Sequence, residues 1–168
     1  MKALYKRKVC NIMSSQFKFT VDLIEPDLEA RTKEEAIEKL SNNFVALGYA
    51  TSNYYRLVIE REKEYPTGLV TSGANIAIPH AFDPTIKGTH VAIGILKNPV
   101  LFDNMENFDE KISVEIIFML AISEAKEQLE MLQILMSIFK SKDLLREIKK
   151  EKSKTNICIK LNEYLDTL

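Results

Sequence analysis

His80 is the residue in this chain best positioned to do chemistry. It follows Ile76-Ala77-Ile78-Pro79, a short apolar run closed by proline. Such a run reads as a buried strand, and Pro79 restricts its own backbone and removes a donor. The imidazole then projects where strand gives way to loop, a setting in which sites collect. An unperturbed histidine titrates near pH ~6.5, so a neutral ring can act as a nucleophile at neutral pH. A hydrogen-bonded structural histidine at a strand end would leave the same trace, and position alone keeps both readings open. Arg61, read alone, is a solvated cation at a helix C-terminus, favoured there by the helix dipole.

The remaining candidates carry weaker signals. Thr67 and Ser72 could donate to an anion, yet turn chemistry accounts for both. Asp83 lies three residues past His80 and could orient the ring, although a solvated loop carboxylate needs no such role. His90 opens its own strand and reads as structural. A metal hydrolase built on His80, Asp83 and His90 lacks an established ligand spacing. Cys10 and Cys158 fit neither a disulfide scaffold nor a zinc site.

Several elements must position these side chains. Phe17 to Ile24 alternates apolar and polar residues and reads as a strand that Pro26 and Asp27 end. Thr32-Lys33-Glu34-Glu35 forms a capping box. Behind it Ile37, Leu40, Phe44 and Leu47 recur at helical spacing, with Gly48 as the stop. A second helix starts near Ser52 or Asn53, carries Tyr54, Leu57 and Val58 on one face, and must end before Pro66. Pro66-Thr67-Gly68 and Thr71-Ser72-Gly73 read as turns or loops, and Ala81 to Gly88 as loop. His90 to Leu96 reads as a strand broken by Asn98-Pro99, and Val100 to Glu110 as irregular or a short edge. Ile112 to Ile122 is the most apolar and β-branched stretch and should be the central strand. Ser123 should cap a helix to Lys140 with apolar face Leu129, Leu132, Met136 and Phe139. Ser141 should cap a short helix holding Leu144, Leu145 and Ile148. A last helix runs through Ile157, Leu161 and Leu165. This order of elements predicts an α/β (α+β) domain: a mixed sheet sandwiched between helices.

Composition narrows the function classes. The 168 residues suit one domain, with 46% hydrophobic and 28% charged residues. Lys and Arg number 23 against 24 Asp and Glu, a formal charge of -1. That balance gives no electrostatic case for a nucleic-acid partner. No apolar run approaches the ~20 residues of a bilayer span, so direct membrane insertion is not expected. Residues 1–16 are basic, lack a secretory h-region, and read as a loose leader before a domain over 17–168. A cytoplasmic protein with free thiols is the expected setting.

The local motifs add a resemblance. Arg61-Glu62-Lys63-Glu64-Tyr65-Pro66-Thr67-Gly68-Leu69 followed by Ile76-Ala77-Ile78-Pro79-His80 resembles the EIIA component of the bacterial sugar phosphotransferase system. It is most similar to the fructose–mannitol type and, within it, the galactitol-like members. Leu96-Lys97-Asn98-Pro99-Val100-Leu101-Phe102, Val114 to Ala121, and Glu127 to Gln133 extend the match, which covers Phe17 to the C-terminus. The resemblance implies a mixed sheet between helices. It implies that His80 accepts a phosphoryl group from the carrier protein HPr and passes it to a cysteine of an EIIB partner. Arg61 becomes the phosphoryl-stabilising cation. Gln128 stands where many fructose–mannitol-type members carry a second histidine; its amide could hydrogen-bond a phosphoryl oxygen but brings no titratable charge. No cofactor or metal is implied. The identity of the sugar does not follow, because in this system the membrane component selects it. A regulatory domain, whose His80 phosphorylation state controls a partner protein, would use the same chemistry.

Overall fold

A computed structural model describes residues 17–168 of the chain. The leader expected over residues 1–16 lies outside the described residues. The strands are β1 (Ile24–Leu28), β2 (Gly68–Leu69), β3 (Ile76–Ala77), β4 (Thr89–Asp103) and β5 (Lys111–Ile122). The helices are α1 (Lys33–Ala46), α2 (Tyr54–Glu64), α3 (Ala125–Lys140), α4 (Lys142–Lys150) and α5 (Lys154–Leu165). The sheet is mixed, in the order β1-β4-β5-β3-β2. β4 and β5 form its long antiparallel centre, β1 joins β4 in parallel, β3 joins β5 in parallel, and β2 closes the far edge antiparallel to β3.

Alternation along β5 explains the layering. Ile116, Phe118, Leu120 and Ile122 face one core with Met131, Leu135, Ile138, Leu145, Ile157 and Leu161 from α3, α4 and α5. Ile117, Met119 and Ala121 face the other, with Ile37, Leu40, Phe44, Tyr54 and Val58 from α1 and α2. Successive strand side chains point to opposite faces, so a stretch apolar at every position, as from Ile116 to Ile122, must be covered twice. The expected α/β sandwich is therefore the observed fold. Among the described residues, no helix is long and apolar enough to cross a membrane.

The helix termini follow their local chemistry. Thr32 Oγ1 accepts from the Glu35 N–H at 3.1 Å, and Glu35 Oε2 accepts in return from the Arg31 N–H at 2.9 Å. Gly48, at φ 75°, ends α1 with paired bonds from its own N–H to the Val45 carbonyl and from the Tyr49 N–H to the Phe44 carbonyl. That left-handed position suits glycine, which has no Cβ to clash.

Four expectations need correction. The first strand is Ile24–Leu28, not Phe17 to Ile24, and it contains Pro26 and Asp27. It lies at the sheet edge, and its register shifts between Glu25 and Leu28, with Asp27 at φ 55°. An edge bulge tolerates a proline that a central ladder would not. For the same reason Asn98-Pro99 does not break β4: the register with β5 shifts between Ile95 and Val100, so Pro99 owes no ladder bond. Gly68–Leu69 is a short strand and not only a turn. On α3 the N-cap is Glu124 and not Ser123, and the buried face is Met131, Ile134, Leu135, Ile138 and Phe139. Leu129 and Met136 are exposed. α3 carries apolar residues around much of its circumference, so helical spacing allows two stripes, and the wider one packs.

Candidate functional site

The backbone around His80 is an irregular continuation of β3. Ile76 and Ala77 pair with Ile116 and Ile117 of β5. Beyond them the Leu120 N–H donates to the Pro79 carbonyl at 3.1 Å, and Phe82 bridges Ile122. The chain thus follows β5 to its C-terminal end with His80 in the middle. The Tyr54 hydroxyl of α2 fastens this stretch from beneath. It donates to the Leu120 carbonyl and accepts from the Ala81 N–H at 3.4 Å. Burial pushes the Tyr54 phenol well above its ordinary range.

His80 is half-buried, and its two ring nitrogens have different partners. Nδ1 lies 2.6 Å from the Ile78 carbonyl oxygen. Nε2 lies 3.4 Å from Nη2 of Arg61. A carbonyl only accepts and a guanidinium only donates. Nδ1 must therefore carry the hydrogen and Nε2 the lone pair. Burial lowers the pKa of the ring below the usual histidine value, the Ile78 carbonyl opposes that shift, and the Arg61 charge adds to it. The neutral Nδ1–H tautomer is the resting state at neutral pH.

Arg61 sits in the last turn of α2, where its charge suits the helix dipole. Its guanidinium carbon stands 5.2 Å from the centre of the Tyr65 ring, a cation–π distance. Among the described residues no carboxylate forms an ion pair with it. The cation is held in position and remains free for an anion.

Two other side chains join the structure behind the site. Glu62, 2% exposed, accepts at Oε1 from the Thr67 N–H (3.0 Å) and at Oε2 from the Thr67 hydroxyl (2.8 Å). Thr67 Oγ1 accepts in turn from the Ile78 N–H at 3.2 Å. Burial raises the Glu62 carboxyl to about 7 against the Thr67 bonds, which favour its charge. Thr67 is thus committed to this buried chain and not to an open anion site. The sequence carried a signal for Glu62: Tyr54, Val58 and Glu62 are spaced four apart and form the buried face of α2.

The other candidates lie elsewhere. Gln128 is half-buried in the first turn of α3, at the same end of the sheet as His80. Among the described residues its amide bonds neither His80 nor Arg61. Asp83 is buried and accepts from the Thr85 N–H (2.8 Å) and hydroxyl (2.6 Å), a loop cap and not an imidazole orienter. His90 stacks on Tyr49 at 3.6 Å and bonds the Lys87 carbonyl. No group of three or more metal-ligating side chains gathers among the described residues.

Relatives and solved structures share this framework. The transcriptional regulator ManR of Bacillus subtilis (strain 168) is 33% identical over 117 residues, which cover 70% of this chain and 16% of the regulator. The galactitol-specific EIIA component of the phosphotransferase system of Escherichia coli (strain K12) is 26% identical over 118 residues, covering 69% of this chain and 77% of that protein. In the Escherichia coli complex of enzyme IIA mannitol with phosphorylated enzyme IIB mannitol, the matching chain superposes with a TM-score of 0.71 at 22% identity, over 88% of this chain and 99% of that one. A family model, phosphoenolpyruvate-dependent sugar phosphotransferase system, EIIA 2, matches residues 17–164. That span takes in Arg61, His80 and Gln128 together, and by it the chain belongs to the EIIA type 2 family of the sugar phosphotransferase system.

Proposed function

We propose that the protein is a phosphocarrier that takes a phosphoryl group from phospho-HPr on Nε2 of His80 and passes it to a cysteine of an EIIB partner. The transfer serves uptake of a sugar or sugar alcohol, in the cytoplasm. The observation that carries this reading is the pairing of the two ring nitrogens: Nδ1 is tied to the Ile78 carbonyl, which leaves the Nε2 lone pair beside the Arg61 guanidinium.

The step balances simply. The Nε2 lone pair forms a bond to phosphorus as the bond to the donor breaks, and the donor keeps that electron pair. Nδ1 keeps its hydrogen and donates it to the Ile78 carbonyl, which stabilises the positive charge spreading over the ring. In the second half, an EIIB thiolate attacks phosphorus and the electron pair returns to Nε2. Phosphoryl transfer asks little covalent work of a protein, so positioning and charge stabilisation dominate. The Arg61 fork is suited to two equatorial oxygens. The Gln128 amide, one helical turn into α3, offers a further neutral donor.

Incubation with phosphoenolpyruvate, enzyme I and HPr tests the assignment. The label should be acid-labile and base-stable, and His80→Gln should abolish it. Equal labelling of His80→Gln would overturn the assignment, and loss in His90→Gln alone would move it to that ring.

The regulatory reading has two matches in its favour: 33% identity to a protein named as a transcriptional regulator, and 36% identity over 72 residues to one named as a probable operon regulator. The chain spans 16% and 10% of those proteins, whereas it spans 77% of the galactitol-specific component. The second coverage favours the carrier, as does the Lys63-Glu64-Tyr65-Pro66-Thr67-Gly68-Leu69 stretch.

A further inference from the structure

We propose that Glu62, acting through the Thr67 hydroxyl and the Ile78 backbone, is a positioning residue that sets the tautomer of His80. The inference rests on the assignment of His80 as the phosphoryl acceptor.

The β2–β3 ladder ends just short of the site. Its last pair is Gly68 with Ala77. One residue further, the Ile78 N–H goes to a side chain, Thr67 Oγ1, at 3.2 Å. Pro79 follows and has no N–H, so the backbone here has few donors with which to fix its own course. The hydrogen-bond directions are forced. The Ile78 N–H donates to Thr67 Oγ1, so the hydroxyl hydrogen must go elsewhere. It goes to Glu62 Oε2 at 2.8 Å, while Oε1 holds the Thr67 N–H at 3.0 Å. Above about pH 7, where the carboxyl is ionised, Glu62 can only accept, and the chain then runs one way: Ile78 to Thr67 to Glu62. Glu62, Thr67 and Ile78 are all buried, and water offers no substitute partner.

The consequence appears at the ring. With its N–H anchored, Ile78 presents its carbonyl to His80 Nδ1 at 2.6 Å and holds the hydrogen there. Arg61 and Glu62 are neighbours on one turn of α2. That turn therefore addresses both ring nitrogens, Nε2 directly through Arg61 and Nδ1 through Thr67 and Ile78. Two further charged groups act on Glu62: Lys33 of α1, which favours its charge, and Asp103 of β4, which opposes it. Lys33 and Asp103 are ion-paired with each other, and Asp103 also pairs with Lys111. They leave the bonds to Glu62 to Thr67 alone.

The test reads the tautomer on the unphosphorylated protein, by long-range 1H–15N correlation at pH 8. Wild type and Thr67→Ser should show a pyrrole-like Nδ1 and a pyridine-like Nε2 on His80. Thr67→Val, which removes both hydroxyl bonds, and Glu62→Gln, which cannot accept at both positions, should move the two signals toward each other. Their phosphoryl acceptance from phospho-HPr should fall at least tenfold, with rescue in Thr67→Ser. The His90 signals should not move. A folded Thr67→Val or Glu62→Gln protein with wild-type His80 signals overturns the proposal. If neither variant folds, wild type decides: a carboxyl 13C titration of Glu62 must be mirrored in the His80 nitrogens, and its absence there is equally fatal. Because no phosphoryl group is present, failure here is distinct from failure of His80 to be the acceptor.

Discussion

Nη2 of Arg61 and Nε2 of His80 stand 3.4 Å apart, although 19 positions separate them in the chain. The short β2–β3 pair, with its connecting loop, makes this possible. It returns the chain from the end of α2 to the edge of β5. The pairing puts a fixed cation against the one ring nitrogen that retains a lone pair.

Removing that cation should affect transfer far more than folding. Arg61 makes no ion pair among the described residues, so Arg61→Ala should cost stability only ~0.3–1 kcal/mol through the helix dipole and ~0.5–1 kcal/mol through the Tyr65 ring. Loss of a single preorganised donor at a developing charge costs ~2.7–4 kcal/mol, on the order of 10²–10³ in rate. Thermal melts set against single-turnover transfer from phospho-HPr separate the two effects. Transfer within twofold of the parent would remove Arg61 from the site.

The layers of the fold, the central strand and α1, α2, α4 and α5 were legible in the sequence, because each rests on apolar spacing or on a cap that acts locally. The placement of β1 and the continuity of β4 were not. Both contain proline at a register shift, and a bulge that spares proline its missing donor depends on the partner strand. At the site, Ile76 to His80 gave the position of the imidazole. It could not give the tautomer, which needs Thr67 and Glu62 from another segment. Asp83 looked solvated because loop residues usually are, yet it is buried and its carboxylate is taken up by the Thr85 N–H and hydroxyl.

Acceptance by His80 should respond to pH in a definite direction. A proton on Nε2 blocks the nucleophile. Burial and the Arg61 charge hold the folded pKa below 6.5. The rate should therefore rise with pH as the ring loses that proton, and rise again as Glu62 ionises at about 7 and fixes the Nδ1–H tautomer. The associated folding stability is fully present above about 6.5 and is lost as pH falls through the folded pKa. In Arg61→Ala the inflection should move upward, because a repelling charge is gone. An inflection unchanged in that variant, measured by ring 15N titration, would mean that the two groups do not interact.

Glu62 should make stability depend on pH in the opposite sense. Its carboxyl is raised from 4.5 to about 7, chiefly by burial. A raised acid stabilises the folded state below its unfolded pKa and loses that contribution as pH rises through the folded value. Wild type should therefore lose about 3 kcal/mol relative to Glu62→Gln between roughly pH 4.5 and pH 7. Urea unfolding of the two proteins at both pH values measures it. A constant difference across that window would mean that Glu62 is not strained by burial.

Discharge separates the carrier from the regulator. A carrier lets a donor and an acceptor reach the same histidine in turn, so neither complex can be long-lived, and the ring must be reachable without unfolding. His80 meets the second condition: it is half-buried, not enclosed, and exposed Phe82 lies two residues away. Phosphorylation adds about −1.5 to −2 of charge, and among the described residues Arg61 is the one cation within bonding distance of the ring. One cation neutralises only part of that charge, which favours handing the group on. Phospho-His80 should therefore lose its label rapidly to a cognate EIIB with an intact active-site cysteine, and a Cys→Ser EIIB should leave it charged. Slow discharge by every EIIB of the source genome, with a tight complex to a protein outside transport, would reverse the assignment in favour of regulation.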